Sequence, residues 1–142
     1  DEPTTALDVT VQAQILRLLA QLRQDFDLAI MLITHDLGLV AELCERTAVF
    51  YAGAMAEAAD TAELLRSPRH PYTHGLLQAR PGLDGPMDQP LLAMPGSPPE
   101  PGSILSGCPF APRCPRAEAV CQQTPPWTRQ GERGFACHLP IG

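Results

Sequence analysis

No lysine occurs in this 142-residue chain; its ten basic residues are all arginine. A phosphate-gripping loop of the G-x-x-x-x-G-K-[ST] kind needs a lysine for the β- and γ-phosphates, so these residues contain no such loop. Positive charge is scarce altogether, with a net charge of -6 and a pI near 5.0. A nucleic-acid-binding surface must neutralise phosphates with an excess of basic side chains, so the charge balance argues against one. Long hydrophobic runs are missing too. The longest clear one, Leu28 to Ile33, falls far short of the ~20 residues that span a bilayer, so any membrane role must come through a partner. Nor do the opening residues resemble the charged-then-apolar start of a signal peptide. Proline and glycine are sparse before residue 81, whereas 81–142 hold 13 of the 16 prolines and eight of the 11 glycines. The composition predicts a boundary near Arg80, with packed helix and strand in 1–80 and a proline-rich, cysteine-containing extension in 81–142.

What is present in the first part reads as an α/β arrangement. After Asp8, a good N-cap, Val11, Ile15, Leu18, Leu19 and Leu22 recur at three- and four-residue steps and predict an amphipathic helix. The unalternating run Leu28 to Ile33 predicts a strand buried on both faces, as in a parallel sheet covered by helices. His35 then falls at the carboxyl end of that strand, where ligands bind in open α/β sheets. Asp36 is placed to cap a short helix through Cys44. Thr47 to Tyr51 and Met55 to Glu57 flank Ala52-Gly53 as a hairpin. Thr61 to Arg66 and Tyr72 to Arg80 read as helices, the second beginning after Pro71.

Phosphoryl transfer to water needs a metal held against the phosphates, a carboxylate to orient or deprotonate the water, and a polar group at the γ-phosphate. Asp1, Glu2 and His35 supply these types. An adjacent Asp-Glu pair alone is more often a solvated turn. Here it opens Asp1-Glu2-Pro3-Thr4-Thr5-Ala6-Leu7-Asp8, and Thr34-His35-Asp36 follows after one helix and one apolar strand.

With these residues in that order, the chain resembles the C-terminal half of an ABC-transporter ATPase subunit, a P-loop nucleotide-binding domain. The resemblance implies that Asp1 is the Walker B aspartate, holding Mg2+ through water, and Glu2 the catalytic carboxylate. It implies that Thr5-Ala6-Leu7-Asp8 is the D-loop, with Asp8 facing the partner site of the closed dimer, and that His35 is the switch histidine at the γ-phosphate of ATP. Thr4 to Gln12, Arg69-His70-Pro71-Tyr72-Thr73 with Gly75-Leu76-Leu77, and Pro95-Gly96 with Pro98-Pro99 narrow the likeness to oligopeptide, dipeptide and nickel importers. Their ATPase subunits carry a C-terminal extension. The implied partners are a second ATPase subunit, copy or paralogue, membrane permease subunits and, indirectly, a substrate-binding protein. The implied location is peripheral, on the cytoplasmic face of the membrane.

Four of the five cysteines, Cys108, Cys114, Cys121 and Cys137, sit in the extension at spacings of five, six and 15 residues. Cys44, among Leu39, Val40 and Leu43, reads as a small buried apolar residue. Disulfides suit the four poorly, because nucleotide hydrolysis belongs to a reducing compartment. A structural zinc takes four sulfur ligands but usually recruits Cys-x-x-Cys pairs, which are absent here. A [4Fe-4S] cluster also takes four thiolates and tolerates wider spacing, and some subunits of the resembled family hold one in this extension. Unliganded thiols are the remaining reading. Phe110, Trp127 and Phe135 are expected to pack around the metal, and His138 to lie beside it. His70 and His74 read as parts of an ordinary helix start rather than as ligands.

Two functions of different classes follow. One is the energy-coupling ATPase subunit of a peptide-type importer, for which these residues alone are predicted inactive without the phosphate loop and signature motif. The other is a metal-binding interaction module without ATPase activity.

Overall fold

The computed structural model describes residues 1–3, 7–79, 94–100, 102–103 and 106–142. The chain divides into two compact units, 1–45 and 46–142. The boundary expected at Arg80 lies outside the described residues.

In the first unit, helix α1 spans Val9–Phe26. One Asp8 carboxylate oxygen accepts from Thr10 N at 3.0 Å and Val11 N at 2.9 Å, satisfying donors that have no partner inside the helix. The helix ends where Asp27 turns left-handed at φ 51°. The expected apolar stripe is displaced: Leu16 is the buried residue, while Leu18 is 51% exposed. The buried face is therefore centred on Leu16, with Ile15, Leu19 and Leu22 half-buried around it. A second helix, α2, spans Leu37–Leu43 and is capped by Asp36 as expected. Cys44 is its C-cap and only half-buried, a correction to the buried position the sequence suggested.

Leu28 to Ile33 forms no strand. Met31 is 86% exposed and Leu28, Ile30 and Ile33 are exposed as well, the reverse of the expected burial. A doubly covered strand needs neighbours along both edges. Among the described residues, the backbone bond recorded for this run beyond its junction with α1 is from Glu2 N to Ile33 O, at 2.8 Å.

The second unit is built on an antiparallel four-stranded sheet. Strands β1 (Arg46–Tyr51) and β2 (Ala54–Asp60) form the expected hairpin. Ala52 and Gly53 both take positive φ, the pairing that lets a two-residue turn follow the strand twist. Strands β3 (Trp127–Gln130) and β4 (Arg133–Ala136) complete the order β1-β2-β4-β3. Helix α3 (Thr61–Arg66) starts at Asp60, and α4 (Pro71–Gln78) has Pro71 in its first turn. Val49, Ala59 and Leu64 form one buried cluster, and Tyr51, Cys108, Phe110 and Cys121 a second.

The register pairs Val49 with Glu57 and Glu57 with Phe135, so a carboxylate stands in an apolar row in the middle of the sheet. Glu57 is fully buried. Its two oxygens accept from Arg69 N at 2.8 Å and His70 N at 2.9 Å. Arg133, 4% exposed, brings its Nε to 3.8 Å, a charge contact rather than a hydrogen bond. The other end of that guanidinium donates to Ser67 O at 2.6 Å and contacts the Glu63 carboxylate at 3.4 Å. Removing one member leaves a buried charge and two amides unpaired. Glu57→Ala is thus expected to cost about 3–5 kcal/mol. Pairing it with Arg133→Met should recover part of the loss. Chemical denaturation of the two variants checks this, and a double variant no better than Glu57→Ala contradicts it.

Candidate functional site

The first unit brings two of the sequence-predicted residues together. His35 Nδ1 lies 2.8 Å from Glu2 Oε1. Two local features set this up. Glu2 holds φ at 41°, an uncommon left-handed conformation for this residue type, with its N–H on Ile33 O. Thr34 Oγ1 accepts from Asp36 N at 3.1 Å, and Asp36 accepts from Gly38 N at 2.7 Å, which fixes the turn that presents His35. Both side chains face solvent, His35 at 79% and Glu2 at 44% exposed, so the pair adds little to stability and remains open to a ligand. Asp1 is exposed beside them in sequence, and Asp8 serves as the α1 cap. Thr5 and Ala6 of the expected D-loop lie outside the described residues.

The second unit gathers the other group. Cys108, Cys114, Cys121 and Cys137 all line one cavity, together with Phe110, Leu139 and the two histidines His70 and His138. Its free volume of about 10 Å³ is that of roughly one water. Burial raises the thiol pKa of Cys108, Cys114 and Cys137, and the neighbouring cysteines raise each of them further. That mutual effect places these sulfurs within electrostatic reach of one another. Among the described residues, no three His, Cys, Asp or Glu side chains are disposed to hold a single metal ion. Cys108 N bonds Cys121 O at 2.9 Å, joining two of the cysteine loops through the backbone. Gly107 permits this approach: its φ is 78°, and a Cβ there would stand 2.5 Å from Cys121 O.

The surrounding aromatics differ in part from expectation. Phe110 lines the cavity and packs edge-on against Tyr51 at 5.2 Å. Trp127 does not line it; the residue is 41% exposed and its ring lies against Gly134, where a Cβ would meet it at 2.3 Å. Phe135 is buried but belongs to the sheet row of Glu57. His138 sits at the cavity as expected, 3.1 Å from Gln123 O.

Sequence reasoning missed His70. It does start a helix, its Nδ1 accepting from Tyr72 N at 3.0 Å. It is also 3% exposed and lines the cysteine cavity. Burial pulls its pKa down to about 4, partly opposed by the nearby Ala136 backbone, so the ring is neutral near pH 7. Glu57 was missed as well, because a carboxylate at a strand position reads as solvent-facing until its partners at Arg69 and Arg133 are known.

Residues 56–121 match the family described as "Oligopeptide/dipeptide transporter, C-terminal region". Similar proteins include the oligopeptide transport ATP-binding protein OppD of Salmonella typhimurium, 50% identical over 142 residues, covering 99% of this chain and 42% of that protein. The oligopeptide transport ATP-binding protein AppD of Bacillus subtilis is 51% identical over 130 residues, 92% of this chain and 38% of that protein. The Haemophilus influenzae OppD is 49% identical over 128 residues, 90% and 39% of the two chains. The chain thus spans about two fifths of the length of these relatives.

Gly107→Ala combines backbone strain with overlap onto a carbonyl. It is expected to cost about 2–4 kcal/mol of stability. A denaturation midpoint equal to wild type would show that the Cys108 and Cys121 loops do not depend on this approach.

Proposed function

Because this chain belongs to the oligopeptide/dipeptide transporter family of ATP-binding proteins, we propose that it forms part of the energy-coupling ATPase subunit of a peptide importer. The observation that carries this reading is the 2.8 Å contact of Glu2 with His35, two groups 33 positions apart. In this reading Asp1 holds Mg2+ through water, Glu2 orients and deprotonates the attacking water, and His35 meets the γ-phosphate. With Glu2 ionised, Nδ1–H of His35 donates to the carboxylate, which orients the ring so that Nε2 points away from Glu2. Asp8 communicates with the partner site, and by capping α1 it ties that loop to a helix.

The complete subunit works in a pair with a second ATPase subunit, against permease subunits at the cytoplasmic face of the membrane. A peripheral placement agrees with the lack, among the described residues, of any helix long and apolar enough to cross a bilayer. In the assembled transporter, Glu2→Gln is expected to keep ATP binding and to lower turnover by about 100-fold or more, since it removes the base but not the phosphate contacts. Unchanged hydrolysis rules out the role given to Glu2.

The four cysteines form the second part of this reading. A tetrahedral zinc with Zn–S near 2.3 Å needs sulfurs about 3.8 Å apart. What supports a four-thiolate group is that all four cysteines line one cavity. Cys108, Cys114, Cys121 and Cys137 would hold a [4Fe-4S] cluster, which when bound supplies a covalent staple between loops that have little core of their own. Anaerobically purified protein should contain about four iron atoms and four acid-labile sulfides per chain. One zinc per chain without iron contradicts the cluster.

A further inference from the structure

The residues on either side of Cys137 are tied to the rest of the second unit at successive points. Ahead of it, Ala136 closes β4 opposite Trp127. Just past it, His138 Nε2 lies 3.1 Å from Gln123 O, two residues beyond Cys121. Leu139 lines the cysteine cavity and packs against the cluster of Tyr51, Cys108, Phe110 and Cys121. Pro140 then fixes φ, which leaves the chain one torsion fewer to vary on its way to Ile141. Ile141 meets Arg69 through both of its backbone groups. Its N–H donates to Arg69 O at 2.8 Å, and its carbonyl accepts from Arg69 Nη1 at 2.8 Å. Arg69 is itself anchored at the centre of the sheet, where its amide donates to the buried Glu57 carboxylate at 2.8 Å.

We propose that Arg69 is a positioning residue of the cysteine cavity: its two bonds to Ile141 seat the arm 137–141 and so keep Cys137 on the cavity wall with the other three cysteines. Of the four cysteines, Cys137 is the most distant in sequence, 16 residues beyond Cys121. β4 delivers the chain to it, but a strand end fixes only the entering side. A segment pinned at one end can swing, and a second pin four residues on confines it. The two bonds hold the peptides on both sides of the Ile141 Cα, which sets orientation as well as distance. The one from the guanidinium is charge-assisted and so the stronger. That side chain is drawn into the interior, its Nε buried with no partner among the described residues, so water is poorly placed to substitute for the Nη1 bond. This assignment concerns the polypeptide; only its consequence for a bound cluster rests on the four-thiolate reading above.

The test uses the full-length subunit as purified. Amide hydrogen exchange, resolved to single residues by mass spectrometry, should find the Ile141 N–H of wild type slowed at least about tenfold relative to an unstructured chain. An unprotected Ile141 amide overturns the proposal without any variant. Arg69→Met keeps the aliphatic stem but removes the donor. It should speed exchange at His138, Leu139 and Ile141 about tenfold while the β1 and β2 amides keep their rates, and Arg69→Lys, which retains a charged donor, should fall between. Rates at Ile141 equal within about twofold overturn the proposal. So does an acceleration shared equally by β1 and β2, since Arg69 would then support the whole unit rather than the arm. The thiols are read in the same proteins after reduction and removal of metal by chelation. Iodoacetamide should label Cys137 about tenfold faster in Arg69→Met than in wild type, with Cys108 and Cys121 unchanged, and equal Cys137 rates break the link to the cavity. Iron and sulfide analysis before chelation separates the two readings. Wild type lacking both sinks the cluster, while exchange and labelling still decide the role of Arg69. If wild type is loaded, Arg69→Met should lose iron to a chelator about tenfold faster, and equal release contradicts the assignment.

Discussion

The buried carboxylate of Glu57 is the interaction on which the second unit depends. A charge taken out of water is tolerated only when nearby groups replace its hydration. Here those groups come from distant parts of the sequence: the amides of Arg69 and His70 ahead of α4, and the guanidinium of Arg133 on β4. Satisfying one side chain therefore places the turn before α4 and the last strand against the same hairpin. The cysteine cavity inherits its position from both, since His70 and Cys137 line it. A network of this kind adds little net stability over an apolar core, but it is demanding about geometry. That demand suits a cavity whose four thiols must converge from separate loops.

The Arg69-His70-Pro71-Tyr72-Thr73 segment shows how a motif becomes physical. Arg69 clamps Ile141 and gives its amide to Glu57, His70 caps α4, Pro71 sets the first turn, and Tyr72 packs edge-on or tilted against Tyr51 and Phe110 at 4.7 and 5.3 Å. The Pro95-Gly96 segment joins the same region, with Arg113 donating to Pro95 O at 2.9 Å and to the Tyr51 hydroxyl at 3.4 Å. Gly75 is open for a similar reason, because a Cβ there would press on Met94 at 2.9 Å.

Much of the local structure was legible in the sequence because its causes are local. Asp8, Asp36 and Asp60 each cap the helix that follows, and Ala52-Gly53 turns the hairpin. Glu2 and His35 were singled out by chemical type and order, while their contact came from the structure. What was not legible depends on partners far along the chain. The run Leu28 to Ile33 records a demand for neighbours that no described residue meets, and its exposure follows from that. Trp127 was expected at the cysteines but lies on Gly134, a contact set by the β3 to β4 register. His70 looked like a helix start because the cysteines that share its cavity lie 38 or more positions further along the chain.

In the proposed function Glu2 and His35 would serve an ATPase centre, and Glu57 organises the second unit. The central claim is that ATP hydrolysis at this centre is coupled to peptide movement. The most direct measurement follows labelled peptide accumulation and phosphate release together in proteoliposomes holding the complete transporter. The account predicts that both rise when peptide is supplied outside and that accumulation stops when ATP is withheld. Accumulation that continues without ATP, or hydrolysis indifferent to peptide, would contradict it.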